Sequence, residues 1–384
     1  MSISFSLLCI LSALMPVRDP FCITKIEAWP IALPLLAPFV VASGAMAVAH
    51  NVFVRVTLRN GAYGFGEMAP FPDISGEDQA KSLRAFPLAA KECLGQSATH
   101  FRKLSQRLRE VAWQTPAVRC GIETAFLDAL CRGMGIPLWG LWGGAEVRPR
   151  ETDVTLPIGP LDQVVETARA WYARGFRMFK MKVGLEVDED IRRIEAVCAA
   201  CPRTRFVLDA NQGFSFDQAS ECMRAMERLN LPVMLFEQPV AREDVEGFLA
   251  LRRRGTIPLA ADESVRSVED ARGLIERNAV DVLNLKITKC GVVESMDIAG
   301  LARASGIRLM IGGMVESRVA MGCSWSLVLG LGGFEFLDLD MPLLLSTDPI
   351  LGGYGYEGPV LQPWEGSGLG MEMKEEPSSV IVVE

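Results

Sequence analysis

The run Arg177-Met178-Phe179-Lys180-Met181-Lys182-Val183 begins a stretch whose outline repeats and decides the fold. Its successors are Arg205-Phe206-Val207-Leu208-Asp209-Ala210, Val233-Met234-Leu235-Phe236-Glu237, Pro258-Leu259-Ala260-Ala261-Asp262 and Val282-Leu283-Asn284-Leu285-Lys286. Each is a short β-rich apolar run with a charge at or near its end. From Lys182 onward those charges follow at steps of 27, 28, 25 and 24 residues. Between the runs lie helical stretches, among them Asp188–Ala200, Asp217–Leu229 and Val268–Arg277. One strand and one helix fill each step, so the charges recur at equivalent places on successive strands. Surface charges have no reason to keep such a period.

The rhythm extends both ways. Val154–Ile158 precedes the stretch; Arg308–Ile311 and Phe334–Leu337 follow it, with Glu294–Ala304 as a further helical segment. Eight strands separated by seven helices predict an α/β fold, a modified (β/α)7β barrel of TIM type over residues 151–346. A doubly wound sheet gives a similar alternation, but the chain carries no G-x-x-x-x-G-K-[ST] phosphate loop to support it. Residues 23–150 read as a separate α+β domain. Strand-like runs (Ile26–Ile31, Val52–Leu58) lead to a flanked Asn60-Gly61 turn, and helical patterns fill Glu77–Gly135. Residues 347–384 form a Gly- and Pro-rich tail, expected to return to the front domain.

Residues 1–22 read as a non-catalytic extension. Ile3–Met15 is mostly apolar, but the first basic residue is Arg18 and the run is shorter than the roughly 20 residues a bilayer span needs. A signal, an anchor and a disordered extension all stay open there. The folded body is expected to be cytoplasmic, with export the alternative suggested by the apolar N-terminus. The chain has 39 basic and 47 acidic side chains, a net charge of −8, and is 49% hydrophobic. It is too apolar for disorder and lacks the basic excess that grips nucleic acid. Only two histidines, His50 and His100, are present, and Cys198–Cys201 is a lone C-x-x-C; histidine-pair catalysis and a structural zinc are both disfavoured.

Barrel enzymes carry their chemistry at the C-terminal rim of the strands, where the periodic charges fall. Asp209, Glu237 and Asp262, gathered there, would repel and raise one another's pKa. A divalent cation removes the conflict, and three oxygens with open positions suit Mg²⁺. The alternative is a structural ion network with Lys182 and Lys286. Those lysines lie on the second and sixth strands, nearly opposite across the mouth, so their amines can address two faces of one molecule. Lys180 shares Lys182's side of the strand and can lower its proton affinity by like-charge repulsion; a solvated charge is the competing reading.

At these residues the sequence resembles the enolase superfamily, in its muconate-lactonizing subgroup. The match runs from about Ile23 and rests on Lys180-x-Lys182, Asp209-Ala210-Asn211, Glu237-Gln238-Pro239, Asp262-Glu263-Ser264, and Lys286 with Lys289-Cys290-Gly291. Gly121-Ile122-Glu123-Thr124-Ala125 and Gly143-Gly144 also fit. The resemblance implies a capping α+β domain over the barrel, usually in a homo-oligomer. It implies Mg²⁺-assisted removal of a proton α to a carboxylate, through an enediolate, with Asp209, Glu237 and Asp262 as metal ligands and Lys182 and Lys286 as the two bases.

Asp338-Leu339-Asp340 resembles the D-x-D of dipeptide epimerases, where it receives the substrate ammonium. A helix cap or a partner for a capping-domain arginine is the alternative role. Epimerases acting on Ala-Glu carry an arginine in a capping loop; here Pro38–Ala49 has no Lys or Arg and Gly44 takes the approximate place. Gly44 and Met314 join the substrate-binding candidates, and Val40, Val41, Met46 and Val48 suggest an apolar second residue. Glu67-Met68-Ala69-Pro70 is expected on a second capping loop near the pocket mouth, and Glu316 and Ser317 at the rim after the seventh strand. The expected activity is Mg²⁺-dependent epimerisation of the C-terminal residue of small dipeptides. The same scaffold used by an N-acylamino acid racemase or o-succinylbenzoate synthase is the rival. A Schiff-base aldolase and a non-enzymatic barrel are more distant alternatives.

Overall fold

The computed structural model describes residues 19–42 and 44–384. Most of the expected N-terminal extension, residues 1–18, lies outside the described residues. Three antiparallel strands, β1 (Ile23–Val41), β2 (Gly44–Leu58) and β3 (Tyr63–Met68), build the front sheet. The Asn60-Gly61 turn between β2 and β3 is formed as expected, with Gly61 at φ +86°. In the segment Pro38–Ala49, expected as a loop, the described residues instead continue β1 as far as Val41 and begin β2 at Gly44. The two strands pair from Phe39↔Met46 to Val41↔Gly44, and the ladder slips between Pro34 and Phe39. Pro34 and Pro38 have no N–H to give a ladder, and such residues are tolerated where pairing is irregular.

Helices α1 (Gln79–Lys91), α2 (Phe101–Val111) and α3 (Pro116–Met134) cover this sheet. Helix α3 lies almost against β3, which only glycine allows. A Cβ on Gly66 would stand 2.0 Å from the Gly121 carbonyl oxygen. The tail returns here, Ile381–Val383 pairing antiparallel with Ile26–Ala28 of β1.

The barrel strands are β4 (Val154–Leu156), β5 (Met178–Lys182), β6 (Arg205–Asp209), β7 (Val233–Glu237), β8 (Leu259–Ala261), β9 (Val282–Leu285), β10 (Arg308–Ile311) and β11 (Phe334–Leu337). They pair in parallel, each with its successor. Between β11 and β4 there is no ladder; the Asp153 N–H donates to the Leu337 carbonyl at 3.0 Å across that seam. Helices α4 (Leu161–Ala173), α5 (Val187–Ala200), α6 (Phe216–Arg228), α7 (Val245–Arg254), α8 (Val268–Glu276), α9 (Val292–Ala304) and α10 (Arg318–Leu331) separate them. The fold is a (β/α)7β barrel under an antiparallel cap. Among the described residues, no helix is long and apolar enough to cross a membrane.

Alternation along the strands sorts the barrel interior into layers. Val207, Leu235, Ala260, Val282, Met310 and Phe336 form an apolar cluster of their own at the floor. Two residues further along the chain from each stand Asp209, Glu237, Asp262, Asn284, Gly312 and Asp338. The same period that buries an apolar floor therefore lifts five polar side chains, with Gly312 at the sixth place, to the C-terminal rim.

Candidate active site

Asp209, Glu237 and Asp262 are buried at that rim, each with a carboxylate oxygen within 4.8 Å of the others. Lys182 Nζ lies 2.6 Å from Asp209 Oδ2 and 3.1 Å from Asn211 Oδ1. Lys286 Nζ lies 2.7 Å from Asp262 Oδ2. The amines come from β5 and from the end of β9, four strands apart in an eight-stranded barrel, and engage different members of the trio. Lys182 and Lys286 thus approach the trio at different acids, Asp209 and Asp262.

Lys180 is not a solvated charge. It is 1% exposed, and its Nζ stands 3.0 Å from Asp209, 2.9 Å from Glu237 and 2.7 Å from Asp338. Burial alone would lower its pKa, but the three carboxylates outweigh burial and hold it well above the ordinary lysine value. Burial pushes Asp209 up, yet Lys180, Lys182 and Lys286 together keep it well below the usual carboxylate range. Asp262 is likewise held low, against its burial, by Lys286, Lys289 and Lys180. Glu237 goes the other way, burial and the Asp209 charge pushing it up to about 8.

The donor set fits a hard divalent cation. All its ligand atoms are oxygens, and Glu237 Oε2 and Asp262 Oδ2 are buried without accepting a hydrogen bond, for all their proximity to lysine amines. Glu237 Oε1 is oriented by Asn284 Nδ2 at 2.7 Å.

A second acidic group lies on the other side of Lys180. Asp153, Asp338 and Asp340 bring carboxylate oxygens within 4.8 Å of one another. Asp340 Oδ2 accepts from the Thr155 backbone N–H at 2.6 Å, while Asp340 Oδ1 and Asp153 Oδ1 are buried without a partner. Burial and then the Asp338 charge push Asp340 up to about 7. Neither alternative role of the D-x-D is seen. No arginine pairs with either aspartate among the described residues, and Asp340 makes no side-chain cap to the helical turn Met341–Leu344.

Residues 25–143 match the mandelate racemase/muconate lactonizing enzyme N-terminal domain, and residues 163–377 match the enolase C-terminal domain-like family. The chain belongs to the mandelate racemase/muconate lactonizing enzyme family. The aromatic dipeptide epimerase of Herpetosiphon aurantiacus is 39% identical over 92% of this chain and 99% of its own. The L-Ala-D/L-amino acid epimerase of Populus trichocarpa is 39% identical over 88% of this chain and 82% of its own. The dipeptide epimerase of Cytophaga hutchinsonii, solved with Mg and the dipeptide D-Ala-L-Val, superposes with a TM-score of 0.91. It is 28% identical and covers 94% of this chain and all of its own.

In this family member the cap closes the site from above. The β1–β2 tip reaches the barrel, where the Ile158 N–H donates to the Val40 carbonyl at 3.0 Å. A cavity between the two layers is lined by Lys180, Lys182, Lys286 and Asp338, with Phe39, Val41, Phe71, Met314, Val315 and Met341 as its apolar wall. Met314, a substrate-binding candidate from the sequence, lines this cavity. Gly44 is at the hairpin tip paired with Val41 and does not line the cavity; its strand neighbours Phe39 and Val41 do. Asp153 escaped the sequence reading because it precedes β4, whereas the periodic signal lies at strand C-termini. Asn284, midway along β9, was hidden for a related reason: only alternation, not rim position, points to it.

Proposed function

We propose that this chain, an isomerase, is a dipeptide epimerase that inverts the α-carbon of the C-terminal residue by proton transfer between two lysines. The observation carrying the reading is the arrangement just described: Lys182 and Lys286 flanking one acidic trio, with a second acidic group beyond Lys180. Asp209, Glu237 and Asp262 would hold Mg²⁺, which supplies positive charge against the substrate carboxylate and so makes loss of the weakly acidic α-proton affordable.

Lys182 and Lys286 face the α-carbon from opposite sides. One amine removes the proton and leaves an enediolate; the ammonium of the other returns a proton to the far face, and configuration inverts. Asp262 outweighs burial at Lys286 and holds its pKa above the ordinary lysine value. Asp338 and Asp340 would receive the free ammonium of the first residue. The unpartnered Asp340 Oδ1 supports this, because a buried acceptor without a donor is costly unless a ligand supplies one. An N-acyl substrate brings no ammonium, which disfavours the racemase and synthase reading. Phe39, Val41, Phe71 and Met341 near the lysines support an apolar second side chain over an acidic one.

The test is α-proton exchange in heavy water across a dipeptide library with added Mg²⁺. Exchange with inversion, strongest for dipeptides with an apolar second residue and absent after chelation, is expected. Exchange confined to N-acylamino acids would overturn the dipeptide reading, and strongest turnover of Ala-Glu would overturn the apolar preference.

A further inference from the structure

Glu67 was expected on a loop near the pocket mouth; it lies instead near the end of strand β3 and is completely buried. Its carboxylate leaves the cap and enters the first turn of barrel helix α10. Oε1 accepts from Asn51 Nδ2 at 2.7 Å and from the Ser317 N–H at 2.9 Å. Oε2 accepts from Ser317 Oγ at 2.6 Å and from the Ala320 N–H at 3.2 Å. Asn51, on β2, also donates to the Val315 carbonyl at 2.8 Å. Two cap side chains thus take hold of three backbone groups, the Val315 carbonyl and the Ser317 and Ala320 N–H groups, and the helix N-terminus favours the negative charge placed there.

The segment so held connects β10 to α10 and carries Gly313, Met314 and Val315, which line the cavity over the lysines. It is packed tightly onto the catalytic layer: a Cβ on Gly312 would lie 3.0 Å from Asp338 Oδ2 and 3.2 Å from Lys286 Cε. From inside the barrel the segment is fixed by Glu316, whose Oε1 accepts from Thr288 Oγ1 at 2.7 Å and from the Met314 N–H at 3.0 Å. Thr288 is two residues after Lys286. An apolar contact would hold cap to barrel as well as a buried carboxylate does, and without its desolvation cost. What a carboxylate adds is direction.

We infer that Glu67 is a positioning residue, a pin by which the docked cap sets the placement of Met314 and Val315 against the substrate's second side chain. The inference rests on the dipeptide reading for its substrate, and on the hydrogen bonds alone for its mechanical part. Through it the cap contributes to specificity without Glu67 touching the substrate.

The test is Glu67→Gln in the full-length, Mg²⁺-loaded protein, with Ser317→Ala as a milder cut of the same link. L-Ala-L-Leu and L-Ala-L-Ala serve as probes, and amide hydrogen exchange is followed over 313–320. The expected result is a rise in KM larger than the fall in kcat, and at least a threefold loss of discrimination between the two dipeptides. Faster exchange over 313–320 should accompany it, with the barrel floor unchanged, and the double variant should be no worse than Glu67→Gln alone. A ratio of kcat/KM values that stays at the wild-type level while both fall together would overturn the proposal, since loss of folded protein scales both substrates equally. If Glu67→Gln does not fold, the same ratio and exchange in Ser317→Ala decide. Failure of the wild-type protein to turn over either dipeptide would count against the dipeptide reading, while the exchange result would still decide whether the pin exists.

Discussion

Removing one lysine at a time should split the reaction into two half-reactions. Lys182→Met takes away an amine that is buried and 2.6 Å from Asp209, but Asp209 keeps Lys180 at 3.0 Å and the Asn211 N–H at 3.0 Å. Lys286→Met likewise leaves Asp262 with its contact to Lys289 Nζ. Neither change strands a buried carboxylate, so both variants should fold and bind Mg²⁺ at near-wild-type stoichiometry. Loss of a positioned acid or base removes about 10² to 10⁴ in rate. At about 1.4 kcal/mol per decade that is about 3–5 kcal/mol of barrier. Epimerisation needs both groups and should fall by this factor in either variant. Exchange of the α-proton with solvent needs only one, so each variant should still wash deuterium into one epimer of L-Ala-Leu and not the other, with opposite preference in the two variants. Proton NMR in heavy water, run on each pure epimer, reads this directly. Two variants that retain exchange of the same epimer, or lose exchange of both while holding Mg²⁺, would refute opposed bases.

The remaining expectations concern charge and packing. Asp338→Asn with Asp340→Asn should lower kcat/KM for free dipeptides by about 10- to 100-fold, the scale of hydrogen bonds to a charged group, and leave N-acetylated analogues almost unaffected; equal losses on both would show that the pair does not read the ammonium. For pH, Glu237 (about 8), Glu263, Glu316 and Asp340 (about 7 each) are raised, chiefly by burial, above ordinary values of 4.5 or 3.8. They bind protons more tightly folded than unfolded, so the stability they contribute is present below about pH 4 and is lost as pH rises through 7 to 8. Asp209 and Asp262 are lowered, and their contribution disappears instead as pH falls below about 4. Chelated protein should therefore melt lower at pH 8.5 than at pH 6, and Mg²⁺ should raise Tm more at pH 8.5, where fewer protons must be displaced; an equal Mg²⁺ shift at both pH values would contradict the assignment. Gly66→Ala, whose new methyl meets the Gly121 oxygen at 2.0 Å, should cost about 1–3 kcal/mol by urea unfolding. Gly273→Ala, with nothing within 4 Å, is the control and should cost nothing.

The rim charges were legible because two periods coincide. A step of one strand and one helix repeats along the chain, and alternation within each strand then places Asp209 above Val207, Glu237 above Leu235 and Asp262 above Ala260. A period says which residues share a layer, and says nothing of what they touch across it. Lys180 and Asp338 are 158 residues apart, and no local pattern joins them. The tip of the β1–β2 hairpin was obscured for a local reason: Pro34 and Pro38 have no N–H to give a ladder, and the pairing absorbs them as an irregularity. Asp153 and Glu67 share a different obstacle. Each acts at a junction, one at the barrel seam and one between cap and barrel, where neither layer's own period applies.

Lys180 shows why the missing contact matters. Counted from the sequence it is an extra cation beside Lys182, and like-charge repulsion is the only effect available to it. In the fold it touches Asp209 and Glu237 of one acidic group and Asp338 of the other. Six buried carboxyl groups, Asp209, Glu237, Asp262, Asp153, Asp338 and Asp340, then divide into two halves that share a single ammonium. Without it the Asp153–Asp338–Asp340 half would lose the one amine it contacts among the described residues, while the other half would keep Lys182, Lys286 and Lys289; burial would then drive more of the first half's acids to their neutral form, as burial and the Asp338 charge already do at Asp340. Neutral acids would be poor partners for a cation there. Lys180 is therefore, among the described residues, the one amine that touches both acidic groups, and in the proposed site it would relieve the repulsion within the second group and between the two.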